Sequence, residues 1–201
     1  QTNSIPQQSL FSDGQKLLHT MFRKDDNYVL KPDRTEKINH AFYGHEELPK
    51  NLEATKPWVF LLNPVSENIA TDIRNGEFAF PGKIDSIGKF QNFRFEWDDD
   101  GNGNAIDKIT QLNFLKEAGL PLAAILDTGN KSLHAMISVD GITSLEEYRL
   151  IAISILARLP GSPDKQATEP NLPEWLPGGK RYKDGVGYIF PRLLYIGEPI
   201  S

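Results

Sequence analysis

Two short stretches concentrate the side chains able to do chemistry. The first is Phe95-Glu96-Trp97-Asp98-Asp99-Asp100-Gly101-Asn102-Gly103-Asn104, in which four acids fall within five residues. Counted from Asp98 it matches the start of a calcium loop, with Asp98, Asp100 and Asn102 at the first three ligand positions and Gly103 at the turn. Such a loop needs a bidentate carboxylate at its twelfth position, which here is Ile109, so only a looser loop using Asp107 remains. On a strand, residues two apart share a face, so Glu96 and Asp98 stand side by side while Trp97 packs behind them. Carboxylates so placed repel unless a proton or a shared divalent cation relieves them. The plain alternative is a solvated strand end.

The second stretch is Thr128-Gly129-Asn130-Lys131-Ser132-Leu133-His134. A tight turn with exposed N–H groups, followed by an ammonium, a hydroxyl and an imidazole, makes a cradle for a polyphosphate. Ser132 and His134 again share one strand face. The plain alternative is a hairpin with a half-buried histidine. A Ser-His hydrolase is disfavoured, because no Gly-x-Ser-x-Gly elbow is present and neighbours on one strand are poorly placed for proton abstraction. Asp127-Thr128-Gly129 is the tripeptide of aspartic proteases, but a single copy would demand a symmetric dimer.

These residues must be positioned by regular elements. Leu17, Leu18, Met21 and Phe22 predict a helix over 9–22, and a further helix is expected near 35–43. The apolar run 58–65, ended by Asn63-Pro64, predicts a buried strand. Residues 66–88 read as loop, punctuated by Gly76, Gly82 and Gly88. A strand over 90–98 follows, then an amphipathic helix over 106–119 stopped by Gly119. Segments 120–128 and 132–140 form a hairpin. Ser144 and Glu147 have capping-box spacing at the head of an apolar helix over 144–158. A Pro/Gly-rich stretch, 159–185, leads to a last strand over 187–197. This order implies an α+β fold with a largely antiparallel sheet packed on helices.

The 201 residues, 39% hydrophobic and 24% charged, suit one large globular domain. The absence of cysteine excludes disulfides, thiolate catalysis and a zinc knuckle. No apolar run approaches a membrane span of about 18 residues, and the start of the chain lacks a signal-peptide layout, so a cytoplasmic protein is expected. The missing initiator Met and the abrupt end suggest a fragment of a longer protein. A net charge of −5 argues against a protein that coats nucleic acid nonspecifically, yet basic residues cluster at Lys31/Arg34/Lys37 and Lys180/Arg181/Lys183.

Taken in order, the motifs resemble those of the archaeo-eukaryotic primase superfamily, in particular the primase-polymerase domains of phages, plasmids and other mobile elements. Glu96-Trp97-Asp98 is similar to its acid-x-acid strand, and Lys131-Ser132-Leu133-His134 to its Ser-x-His motif after a Gly-rich turn. Asp164 is similar to its downstream acid, with Asn171, Leu176-Pro177-Gly178 and Arg181 following. Phe60-Leu61-Leu62-Asn63-Pro64-Val65-Ser66 resembles its strand ending in Asn-Pro, and the stretch from Pro191 to Pro199 its closing strand. The likeness covers roughly 55–200. Glu96 stands where Asp is commoner, Asn130 where Gly is usual, and Trp175 where an Arg often precedes Leu-Pro-Gly. Arg158-Leu159-Pro160-Gly161 carries the Arg but precedes Asp164, and Asp140 competes with Asp164 as third acid.

The resemblance implies one domain: an RRM-like catalytic core over 55–201 and an N-terminal α/β module over 1–54. It implies that Glu96, Asp98 and Asp164 hold two Mg²⁺ or Mn²⁺ ions and that Lys131, Ser132, His134 and Arg181 hold the phosphates of an incoming nucleoside triphosphate. DNA template and primer are the implied partners; whether a helicase domain follows in the full-length protein is left open by the sequence. Lys180–Lys183, with Tyr182 for stacking, is a candidate template contact, against the plainer reading of a solvated loop. The alternatives are a metal-dependent nuclease or other nucleotidyltransferase, and an inactive nucleotide- or nucleic-acid-binding module.

Overall fold

The computed structural model describes residues 7–32, 39–46, 48, 56–77 and 81–198. Four helices are present there: α1 (Gln7–Met21), α2 (Glu67–Arg74), α3 (Lys108–Ala118) and α4 (Leu145–Leu156). One antiparallel sheet joins β1 (Asn27–Lys31), β2 (His40–Tyr43), β3 (Val59–Leu61) and β7 (Pro173–Trp175) in the order β2-β1-β3-β7. A second antiparallel sheet joins β4 (Phe90–Phe95), β5 (Ala124–Asp127), β6 (Leu133–Ile142) and β10 (Arg192–Ile196) in the order β10-β5-β6-β4. A separate hairpin pairs β8 (Arg181–Lys183) with β9 (Gly187–Ile189). The fold is α+β with antiparallel sheets, as the element order implies.

Period-two alternation explains how the layers assemble. Phe93, Phe95 and Trp97, with Leu133, Ala135 and Ile137 of β6, pack beneath Leu115 of α3 and Tyr148 and Ala152 of α4. The opposite face offers Ala124, Leu126 and Met136 to α1 (Leu17, Leu18, Met21) and to Tyr28, Leu30, Phe60 and Leu62 of the first sheet. Val29 and Leu61 point the other way, onto Ala70 and Ile73 of α2. Both sheets are thus covered on both faces. β1 and β2, from the first 54 residues, share a sheet and a core with β3 and β7.

Several boundaries differ from the sequence reading. His40–Tyr43 is a strand on β1, not part of a helix, because Phe42 and Tyr28 stack across the pair with centroids 5.4 Å apart; residues 33–38 lie outside the described ones. α2 occupies a stretch read as loop, and β7 arises within the Pro/Gly-rich stretch. The strand expected over 187–197 is two, β9 and β10, broken at Pro191, which has no N–H to give a ladder. α3 is capped by Asp107, which accepts from Ile109 N and Thr110 N, and closed by Gly119 at φ 59°. α4 is capped by Ser144, and Glu147 reaches back to Thr143 N at 2.8 Å. Among the described residues no helix is long and apolar enough to cross a membrane.

Candidate active site

Asn63 fixes the strand that carries the first acids. It is fully buried at the end of β3, and its side-chain carbonyl accepts from Gln91 N and Asn92 N, both at 2.8 Å. Its amide donates to Asn92 O and Pro170 O, both at 2.9 Å. One side chain therefore replaces a missing strand neighbour along the outer edge of β4 and ties it to the chain leading into β7. On β4's other edge, Phe95 pairs with Ala135 and Arg94 with Met136. Continued past the end of β4, this register sets Glu96 opposite His134 and Asp98 opposite Ser132.

Glu96 and His134 meet directly. His134 Nε2 lies 2.8 Å from Glu96 Oε2, and His134 Nδ1 lies 2.7 Å from Oε2 of Glu174 on β7. Arg94 Nη2 lies 2.7 Å from Glu96 Oε1, and Arg94 Nη1 lies 3.8 Å from Glu174 Oε2. Ser132 Oγ donates to Glu96 Oε2 at 3.3 Å, and Trp175 N donates to Glu174 Oε1 at 2.6 Å. The Glu174 side chain is 0% exposed and that of Glu96 12%. Two such carboxylates are costly to bury without two cations, and Arg94 supplies only one. Ionised carboxylates accept but cannot donate, so an imidazole facing one with each nitrogen carries both protons. Burial alone would push His134 down; the charge and hydrogen bond of Glu174, followed by those of Glu96, instead raise it to about 9. Burial alone would raise Glu96; the His134 hydrogen bond and charge, then Arg94 and Ser132, bring it down to about 2. The four groups together are neutral.

Arg94, Glu96 and His134 form one wall of a polar cavity of about 220 Å³, and Glu174 is buried behind the imidazole. Asp98, Asp164, Asn130 and Ser132 face the same space. Asp98 is open to solvent, its side chain 57% exposed, with Lys131 Nζ 3.0 Å from its carbonyl oxygen and 3.8 Å from Oδ1. Asp164 N donates to Glu96 O at 2.8 Å, which sets this third acid beside the strand end, and Asp164 Oδ1 accepts from Gln166 N at 2.9 Å to cap a 3-10 turn, Lys165–Thr168. Glu96, Asp98, Asp164, Ser132 and His134 thus line one cavity, with Lys131 at its rim. Arg181 opens β8, and its side chain lies outside the described ones.

Other acids have structural duties instead. Asp140 pairs with Arg23 and lines a different cavity with Leu120 and Tyr195; β6 continues through it and Gly141 to Ile142, with no turn there. Asp100 accepts from Asn102 N at 2.8 Å and Asn104 N at 3.1 Å, and Asp107 is a helix cap, so the candidate calcium loop is closed on itself. Asp127 accepts from Gly129 N at 2.8 Å and from Lys108 Nζ at 2.7 Å, which gives the Asp-Thr-Gly tripeptide a turn-forming role.

The two Leu-Pro-Gly segments make different contacts. Pro160 O accepts from Trp97 Nε1 at 2.9 Å, so Leu159-Pro160-Gly161 packs beside the acid strand. Leu176 and Pro177 lie against Gly14 of α1, where a Cβ would come within 2.9 Å of Pro177 O. Arg158 donates to Ala118 O at 3.3 Å, the C-terminal turn of α3.

Carboxylate oxygens are hard donors suited to Mg²⁺ or Mn²⁺. Among the described residues no three His or acidic groups form a ready cage. Mg²⁺ ordinarily takes one or two carboxylates and completes its shell with water and substrate phosphates, and Asp98 and Asp164 offer that pair at the cavity. Glu96 Oε1 has one near partner, Arg94, and so keeps a lone pair to share.

Arg94 and Glu174 were not foreseen. Arg94 has a signal, since it alternates with Phe93 and Phe95 on the face of Glu96. Glu174 has almost none: it is an isolated acid in Pro173-Glu174-Trp175, brought to His134 only by the pairing of β7 with β3. Compared with known proteins, the chain matches no family model, no curated protein and no solved structure.

Proposed function

We propose that this chain is a primase-polymerase domain, which transfers a nucleotidyl group from a nucleoside triphosphate to a 3′-hydroxyl on a DNA template. One observation carries this reading: Glu96 and Asp98 at a strand end, Ser132 and His134 after a tight turn, and Asp164 far along the chain all line one polar cavity. The chain order β4, α3, β5, β6, α4, β10 is the βαββαβ order of an RRM-like core, but the sheet order β10-β5-β6-β4 sets the last strand beside β5, where an RRM-like sheet would set it beside β4.

Asp98 and Asp164, with Glu96 behind them, would hold the divalent ions, and Lys131, Ser132 and Arg181 would hold the β- and γ-phosphates. Ions bound there would activate the 3′-hydroxyl and neutralise the pyrophosphate leaving group. His134 gives its two ring N–H groups to Glu96 and Glu174, so it would act on the nucleotide through the placement of Glu96. Glu96 is ionised in advance by Arg94 and His134, so no proton has to leave it when a cation arrives.

Primer extension with labelled nucleotide, with and without Mn²⁺, tests the proposal: incorporation is expected, and its loss in Asp98→Ala with the fold intact. Extension at the normal rate by that variant sinks the assignment. The engagement of both Glu96 oxygens by Arg94 and His134 favours a second reading, a module that binds nucleotide without reacting it. Nucleotide binding without incorporation selects it, and strand degradation selects a nuclease.

A further inference from the structure

The β8–β9 hairpin stands apart from both sheets and leaves its aromatic residues bare. Tyr182 and Tyr188 are register partners, 65% and 62% exposed. Their rings meet edge to face with centroids 5.5 Å apart, and Lys180 Nζ sits 3.8 Å from the Tyr188 centroid. Each tyrosine therefore has an orientation set by a neighbour and still offers most of its surface to water. Between 180 and 192 the chain carries Lys180, Arg181, Lys183 and Arg192 against Asp184 alone, in a protein of net charge −5. The segment therefore carries a formal charge of +3 (4 − 1) where the whole chain carries −5.

The hairpin is also rooted next to the cavity. Ile189, at the end of β9, is buried, and a Cβ on Gly129 would lie 3.1 Å from the Ile189 side chain and 3.0 Å from Phe190 O. Gly129 precedes Asn130, which lines the cavity with the acids. Only a residue without a side chain lets the hairpin approach this turn, and Gly129 has φ 77° as well.

We propose that this hairpin is a platform for single-stranded nucleic acid, with unpaired bases stacked on Tyr182 and Tyr188 and phosphates beside Lys180 and Lys183. Rings of this kind stack on any base face, and neighbouring cations track the backbone without reading sequence. Exposed aromatics would also suit a protein partner, but four cations against one acid favour a polyanion. The assignment rests on the primase-polymerase reading for the identity of the strand as template; the binding itself needs no catalysis.

Fluorescence anisotropy of a labelled oligothymidine and of a labelled duplex, both in EDTA, tests it. The Tyr182→Ala/Tyr188→Ala variant is expected to lose about 5-fold or more in oligothymidine affinity per stacked base while duplex binding is unchanged. Lys180→Gln/Lys183→Gln is expected to shrink the slope of log affinity against log salt by about 1.4 on the single strand. Wild-type binding without any primer extension removes the polymerase reading and supports the platform. The platform is overturned if oligothymidine does not bind the wild type or if the tyrosine variant binds it equally well. It is also overturned if that variant alters only the oligomeric state.

Discussion

Glu174 Oε2 lies 2.7 Å from His134 Nδ1, and this contact joins the two sheets at their shared end. Glu174 belongs to β7 of the first sheet and His134 to β6 of the second. On the other side of the imidazole stands Glu96, the first of the candidate catalytic acids. The cavity wall is therefore a charge-compensated seam between layers, and its geometry depends on how the sheets pack.

Removing one partner of such a seam leaves a buried charge without compensation. Glu174→Gln keeps the shape and one acceptor but leaves Arg94 and His134 facing a single anion. The expected cost is about 3 kcal/mol, which for a chain of this size lowers the melting temperature by roughly 6–12 °C. Thermal unfolding followed by circular dichroism measures it. A change under about 1 kcal/mol means the seam does not depend on the second carboxylate.

The same seam fixes a pH dependence. His134 rises from 6.5 to about 9 on folding, so its contribution is complete below pH 6.5 and fades as the pH climbs to about 9. Glu96 falls from 4.5 to about 2, so its contribution is complete above pH 4.5 and fades as the pH drops to about 2. In chelator, the two together stabilise most between pH 4.5 and 6.5. Melting temperature against pH should therefore decline on the alkaline side in the wild type and flatten there in His134→Gln. Parallel alkaline slopes for the two proteins contradict the paired-imidazolium assignment.

What was legible in the sequence is what alternation and caps encode. The strand carrying Glu96, the hairpin leading to His134, and α3 and α4 follow from local periods and from Gly119 and Ser144. β1, β2 and β7 were not legible, because short strands such as Asn27–Lys31 and Pro173–Trp175 exist only through their partners. Glu174 was lost with β7. Asn63 could be seen as a strand ending, but its substitution for a strand neighbour of β4 depends on a contact 28 residues away. The two Leu-Pro-Gly segments look alike as sequence, and only their contacts tell them apart: Pro160 O accepts from Trp97 Nε1, while Leu176 and Pro177 lie against Gly14.

The third acid can be settled by substitution at both contenders. Asp164 faces the cavity, and Asp140 pairs with Arg23 at the far end of β6. Loss of a metal-holding carboxylate removes several kcal/mol of transition-state stabilisation, so Asp164→Ala should lower nucleotide incorporation roughly 100-fold or more. Asp140→Ala should leave incorporation near the wild-type rate. Single-turnover extension at saturating Mn²⁺ compares them, and the reverse ranking moves the site to the other end of the sheet.

Asn63 offers a test of how the acid strand is held, independent of any chemistry. Asn63→Ala strips the acceptor from Gln91 N and Asn92 N and the donor from Asn92 O and Pro170 O, all within a buried region. Each orphaned backbone group costs about 1–3 kcal/mol, though Asn92 O keeps the Tyr148 hydroxyl at 2.9 Å as a second partner. A net loss of about 3 kcal/mol in urea unfolding is expected, together with faster amide exchange at Gln91 and Asn92 than at Phe93 and Phe95. Because Arg94 and Glu96 lie on the same strand, nucleotide incorporation should fall even below the unfolding temperature. Unchanged exchange at both amides shows that the edge of β4 is held by something other than Asn63.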